Sequence, residues 1–219
     1  MMAEKKSLRT LEDLLRVVRA LAHEFNTDTI FIVGSQAVLA SMPDAPEIVR
    51  ESPEIDAFPK NAKSWEVTEA KLTQDGVKPV ASEHIDGLFG PNSQFHQTHG
   101  FFIDGVDETT AKLPKGWLGR AIRIQTEVDG RTVTGIAPAR VDLVVSKITR
   151  LDPRDRKFVE AIHAQRPLDL DLVENRIGMT DLEPAVAERA VEYIRAIKNK
   201  PEDKPSGPKP PRASSEEDD

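Results

Sequence analysis

Phe31-Ile32-Val33-Gly34-Ser35-Gln36-Ala37-Val38-Leu39 decides the fold, and Glu54-Ile55-Asp56-Ala57-Phe58 answers it. The first stretch reads as a buried strand that runs through a glycine–serine turn straight into a helix. A helix N-terminus offers unpaired N–H groups and partial positive charge, which suits a phosphate. Gly34 lets the backbone approach a ligand closely, and Ser35 is placed to cap or to donate. The second stretch reads as a strand with period two. Glu54 and Asp56 therefore share one face, and Ile55 and Ala57 the other. Two neighbouring carboxylates repel unless a cation sits between them. For an isolated Glu-x-Asp, solvated carboxylates on a strand edge are the plainer reading. Its place after a Gly-Ser turn favours a metal site, and the pairing equips a chain for phosphoryl or nucleotidyl transfer.

The chain has 219 residues, 38% hydrophobic and 31% charged. That supports one α/β domain with a real core, or one domain plus a small helical extension. The net charge of −7 argues against a strongly basic nucleic-acid binder, although Ser214-Ser215-Glu216-Glu217-Asp218-Asp219 supplies part of it. Cysteine is absent, which excludes disulfides, thiolate chemistry and cysteine-based zinc sites. No apolar run approaches the roughly 20 residues of a membrane span. Met1-Met2-Ala3-Glu4-Lys5-Lys6 lacks the apolar core of a signal peptide. A cytoplasmic protein with no membrane partner is expected.

Leu11, Leu14, Leu15, Val18, Leu21, Ala22 and Phe25 recur at helical spacing and predict a helix over residues 7–25. Thr10 with Asp13 forms one candidate capping pair, and Ser7 would cap an earlier start. His23 reads as structural or solvated. A strand is expected over 29–33 and a helix over 35–41, broken by Met42-Pro43-Asp44-Ala45-Pro46. Residues 47–51 allow one further turn, and Arg50 could balance the acidic pair, touch a phosphate or make a surface ion pair. A helix is expected over 63–74, an irregular segment or short strand over 77–83, a loop over 85–93 and a strand over 99–106. His96 and His99, with His84 upstream, invite a zinc reading. Zinc needs further ligands on a fixed scaffold, and structural or substrate-edge histidines read better.

Trp117 is read as core. Alternation over 121–128 and 131–135 around Asp129-Gly130 predicts a hairpin. A helix over 138–150 points Val141, Val144, Val145 and Ile148 inward and leaves Lys147, on the plainer reading, as a solvated helix residue. Asp152 caps the next helix with Pro153 in its first position, where Asp155 is helix-start stabilisation. Helices over 169–177 and 182–198 follow, and the Pro-, Ser- and charge-rich residues 199–219 predict a disordered tail.

Gly34-Ser35 followed by an acidic-x-acidic strand resembles the nucleotidyltransferase superfamily that includes DNA polymerase beta. The likeness is closer to a bacterial subgroup related to the toxin halves of abortive-infection type toxin–antitoxin systems. It is carried by Phe95-His96, His99-Gly100-Phe101, Leu113-Pro114-Lys115-Gly116-Trp117, Asp142-Leu143-Val144-Val145-Ser146-Lys147 and Arg154-Asp155, and spans about residues 8–178. The resemblance implies an α/β (α+β) architecture: a minimal mixed sheet flanked by helices over 1–137, then a helical C-terminal part over 138–198. It implies Glu54 and Asp56 as ligands of Mg²⁺ or Mn²⁺, with Asp104 as candidate third ligand. It also implies Gly34, Ser35 and Lys147 on the phosphates of an NTP substrate, with Lys147 and Asp155 facing the site beside the acidic pair as catalytic residues. Many members have Asp where Glu54 stands, and the extra methylene moves the ligand outward. The implied reaction moves a nucleoside monophosphate from an NTP to a hydroxyl of an RNA, tRNA included, or of a protein, with an antitoxin as partner. The competing reading is a module that binds nucleotide or protein without turnover; the Glu-for-Asp change and the unsettled third carboxylate favour it.

Overall fold

The computed structural model describes residues 8–72 and 78–199. The Ser7 cap, the end of the helix expected over 63–74 and the tail beyond Asn199 lie outside these residues. Helix α1 (Leu11–Glu24) starts at Thr10, whose hydroxyl accepts from Asp13 N–H while the Asp13 carboxylate accepts from Thr10 N–H at 2.9 Å. Leu14, Val17, Val18, Leu21 and Ala22 form its buried stripe. Val17 takes the place expected for Leu15, which is half-buried. Burying a Leu or Val side chain is worth about 1.5–3 kcal/mol, so this stripe fastens α1 across the sheet.

That sheet has five strands: β1 (Thr29–Ile32), β2 (Glu54–Pro59), β3 (Phe102–Gly105), β4 (Ile122–Val128) and β5 (Arg131–Ala137). Their order is β3-β2-β1-β5-β4. β1 runs antiparallel to β2 and parallel to β5, β2 and β3 are parallel, and β4–β5 is an antiparallel hairpin. Asp129 and Gly130 both have positive φ at its turn, as a type I′ connection requires. Strand alternation separates two faces. Ile30, Ile32, Ile55, Ala57, Ile103 and Val133 are fully buried on the α1 side. The opposite face carries Phe31, stacked on Phe58 at 4.9 Å, together with Glu54, Asp56 and Asp104. Trp117 is not in the core as its sequence context suggests. It is half-buried and edge-on to Phe31 at 6.1 Å, because it packs on this second face.

A 3-10 helix (Ser35–Ala40) and α2 (Glu47–Arg50) connect β1 to β2. The β2–β3 connection holds α3 (Ala62–Leu72), α4 (Ala81–Phe89) and α5 (Gln94–His99). Two of these correct the sequence expectation. α4 occupies the stretch read as irregular chain and loop: Ala81 and Ile85, four apart, are its buried anchors. Val80 provides no side-chain cap and Gly87 interrupts the pattern, so the usual start signal is missing. α5 begins at Ser93, whose hydroxyl accepts from His96 N–H, and ends at Gly100 with φ +69°. His99 therefore closes a helix, and the strand starts only at Phe102.

The chain ends, within the described residues, in α6 (Arg140–Ile148), α7 (Pro153–Gln165), α8 (Leu170–Gly178) and α9 (Pro184–Lys198). Leu143, Val144, Val159, Val173 and Ile194 from these helices join the same hydrophobic cluster as α1 and the sheet. The protein is thus the mixed sheet flanked by helices, with a helical C-terminal part, that its sequence implies. Among the described residues no helix is long and apolar enough to cross a membrane.

Candidate active site

The two sequence stretches meet in space. Val33 N–H donates to Asp56 C=O at 2.9 Å, so the end of β1 is tied to the acidic strand. Gly34 follows with φ +65° and ψ −169°, a conformation open in practice to glycine alone. A Cβ built on Gly34 would lie 1.8 Å from Asp56 Oδ2. The Asp56 carboxylate occupies the volume that any side chain at 34 would need. The helix that follows is a 3-10 helix of 6 residues rather than an α-helix, and its N-cap is Gly34, which has no side chain to cap it. The buried Gln36 ties it down by donating Nε2–H to Val49 C=O at 2.8 Å.

Glu54 and Asp56 project half-buried from one face of β2 while Ile55 and Ala57 point into the core. Burial pushes the Asp56 carboxyl above the ordinary carboxylate range, and the neighbouring Glu54 adds to it; Lys147, its own backbone N–H and Arg150 pull the other way. Asp104 stands directly beside Asp56 in the β2–β3 register. It too is pushed up, by burial first, then by Asp56 and Asp86. No group of three or more His, Asp or Glu side chains among the described residues converges to hold a metal ion.

The opposite wall is the corner between α6 and α7. Leu151 makes this corner with φ +55°, a strained setting for a leucine. Asp152 caps α7 by accepting from Arg154 N–H and Asp155 N–H at 2.8 and 2.9 Å. Asp155 is only 3% exposed. Its carboxylate accepts from Arg150 Nε and Nη2 at 3.0 and 3.1 Å, and Lys147 Nζ stands 3.4 Å away. Lys147 is 7% exposed, with its ammonium 5.6 Å above the Phe158 ring. It is not the solvated helix residue that its sequence position allows, because the corner folds α7 over it. Asp155 raises the already basic Arg150 further. Asp142, earlier in α6, is a separate structural anchor: it accepts from Arg120 at 2.9 and 3.1 Å.

Two adjoining cavities open between these walls and share Ser35, Glu54, Lys147 and Arg150. The smaller, about 290 Å³, is also lined by Gly34, Asp56 and Lys112. The larger, about 580 Å³, adds Ile48, Arg154, Lys157 and Phe158. Gly34, Ser35, Glu54, Asp56, Lys147 and Asp155 thus come together, whereas Asp104 and Arg50 line neither cavity. The histidines disperse: His84 pairs with Glu24 at 2.8 Å, His96 accepts from Asn92 N–H, and His99 packs on Phe95. Arg150 and Lys112 are site residues that the sequence reading missed. Arg150 follows Lys147 by three residues, which a helix-face argument could have caught; Lys112 sits in a loop without local signal.

A glycine turn locked beneath a half-buried carboxylate thus faces a buried lysine across the cleft. The chain belongs to a family described as "Nucleotidyltransferase of unknown function (DUF6036)", which matches residues 8–200. That description names no substrate and no toxin role. No curated protein and no solved structure matches the chain.

Proposed function

We propose that the protein transfers a nucleoside monophosphate from an NTP to a hydroxyl of an RNA, tRNA included, or of a protein. The observation that best supports this is the contact between Gly34 and Asp56. It fastens a turn suited to phosphate onto a carboxylate that burial and Glu54 disfavour as a lone anion. Asp56 would gain from a cation, and the all-oxygen pair Glu54 and Asp56 fits Mg²⁺ or Mn²⁺. Bound there, the ion would supply Lewis-acid polarisation of phosphate oxygens.

The chain's own groups account for the rest. Of the two cavities only the smaller is lined by both Gly34 and Asp56, so it would take the triphosphate. Lys147 and Arg150 would neutralise phosphate charge from a wall that Asp155 holds in place before substrate arrives. Asp155 would act by positioning them. In the transfer the acceptor oxygen bonds to the α-phosphorus and the bond from that phosphorus to the bridging oxygen breaks. Pyrophosphate leaves with the electron pair, and the hydroxyl proton passes to water.

A second reading, a nucleotide- or protein-binding module without turnover, draws on two features. No three-carboxylate group forms among the described residues, and the first carboxylate is the longer Glu54. Labelled NTPs incubated with the full chain, Mg²⁺ or Mn²⁺, and total RNA or total protein separate the two. Transfer by wild type and not by Asp56→Asn supports the enzyme; tight NTP binding without transfer supports the module. The toxin role rests on the sequence resemblance. Its test is induced expression in a bacterial host, with growth arrest by wild type and none by Asp56→Asn.

A further inference from the structure

Once the smaller cavity is given to the NTP, the larger one is left with side chains that the fold does not explain. Arg154 and Lys157 stand three residues apart in the first turns of α7, and both line it. Like charges at this spacing on a helix repel, and cations at a helix N-terminus oppose the macrodipole. Asp155 pairs instead with Lys147 and Arg150, and Asp152 turns its carboxylate to backbone N–H groups. Arg154 and Lys157 are exposed and make no ion pair among the described residues. Nor are they a sample of a basic surface, since the chain carries a net charge of −7. Glu51 also lines the cavity, but positive charge placed against the helix dipole, with no ion-pair partner among the described residues, marks a place where an anion is the missing term.

We propose that the larger cavity is the acceptor site and that the acceptor is a polynucleotide strand, held by its phosphodiester backbone on Arg154 and Lys157. This rests on the reading of the smaller cavity as the NTP site. A strand offers one negative charge per nucleotide, and so meets two cations one helical turn apart with neighbouring phosphates. A protein acceptor brings no such fixed series. Ile48, 53% exposed on the facing α2 segment, gives bases an apolar surface. The two cavities share Ser35, Glu54, Lys147 and Arg150. A strand end in one therefore lies next to phosphates in the other, as transfer to a terminal or internal hydroxyl demands.

The test is strand binding without NTP. Labelled mixed-sequence single-stranded oligonucleotides, in separate RNA and DNA arms, are titrated with the full chain across a salt series. Wild type is compared with Arg154→Gln/Lys157→Gln, which should melt at or slightly above wild type because both residues are exposed and their charges oppose the helix dipole. Wild type is expected to bind at least one arm. The double variant should show a log K against log salt slope shallower by about 1.4, two phosphate contacts at about 0.7 each on a single strand. NTP binding with Mg²⁺, measured calorimetrically, should be unchanged in the double variant. An unchanged slope, or no binding of either arm by wild type, overturns the proposal. So does a loss of NTP affinity in the double variant, which would put the nucleotide in the larger cavity. Label delivered to total protein and undiminished in the double variant would make the acceptor a protein and also overturn it. Failure of the NTP reading shows separately, as absent NTP binding by wild type with strand binding intact.

Discussion

Asp56, half-buried, and Asp155, fully buried, are carboxylates on facing walls of one cleft, and the chain treats them in opposite ways. Asp155 is saturated: Arg150 donates two hydrogen bonds and Lys147 stands 3.4 Å away. Asp142, at 1% exposure, is satisfied in the same manner by Arg120. Asp56 makes no ion pair among the described residues, has Glu54 for a neighbour, and is pushed up in pKa. A buried charge is tolerated when it is paired. The difference assigns Asp155 to the scaffold of the site, and on the proposed function it leaves Asp56 as the carboxylate that a cation from outside would pair.

The strongest way to break this comparison is to remove the saturated member. Asp155→Ala leaves the buried Lys147 without its anion, and breaking such a pair costs about 3–5 kcal/mol. Urea unfolding should show that loss; a variant as stable as wild type would mean that Asp155 is not the scaffold charge. Gly34→Ala comes next. The backbone setting at 34 costs a side chain about 1–3 kcal/mol, and the new methyl must also displace the Asp56 carboxylate. Stability and NTP binding should fall together in this variant, whereas stability alone falling would uncouple the turn from the acidic strand. Lys147→Ala should destabilise by roughly 1–2 kcal/mol, within the ordinary range for a buried contact, because Arg150 still holds Asp155. Its larger effect should appear in label transfer at saturating NTP, on the order of a hundredfold for a lost preorganised charge. Equal transfer rates would leave Lys147 as scaffold only.

What was legible in the sequence follows the strength of local signals. The capping box of α1, the Asp129-Gly130 hairpin and the Asp152-Pro153 start of α7 each rest on a residue type that one local geometry requires, and each forms as expected. The Gly34–Asp56 partnership was legible as two motifs, but not as a contact, since only the β1–β2 pairing brings them together. α4 was hidden because it has no side-chain cap and contains Gly87. The burial of Lys147 was hidden because it depends on α7 folding back at Leu151, a positive-φ residue with no sequence signature. Asp104 was expected near Asp56, and it is its register neighbour on β3. Its side chain nevertheless lines neither cavity, which a strand pattern alone does not reveal.

The smallest effect on folding sharpens the comparison most. A carboxyl raised by burial and by Glu54 lends stability below the ordinary carboxylate range and loses it as pH rises through the raised value. Asp56→Asn should therefore melt slightly higher than wild type at neutral pH. Each kcal/mol gained would raise Tm by about 2–4 °C in a chain of this size, and the gap should close in acid. At neutral pH, calorimetric titration of NTP with and without Mg²⁺ into wild type and Asp56→Asn then tests the central claim. Wild type should bind NTP in a metal-dependent manner, and the folded, more stable Asp56→Asn should lose that dependence. Identical metal-dependent binding by both proteins would contradict the account, because Asp56 would then hold no place for an external cation.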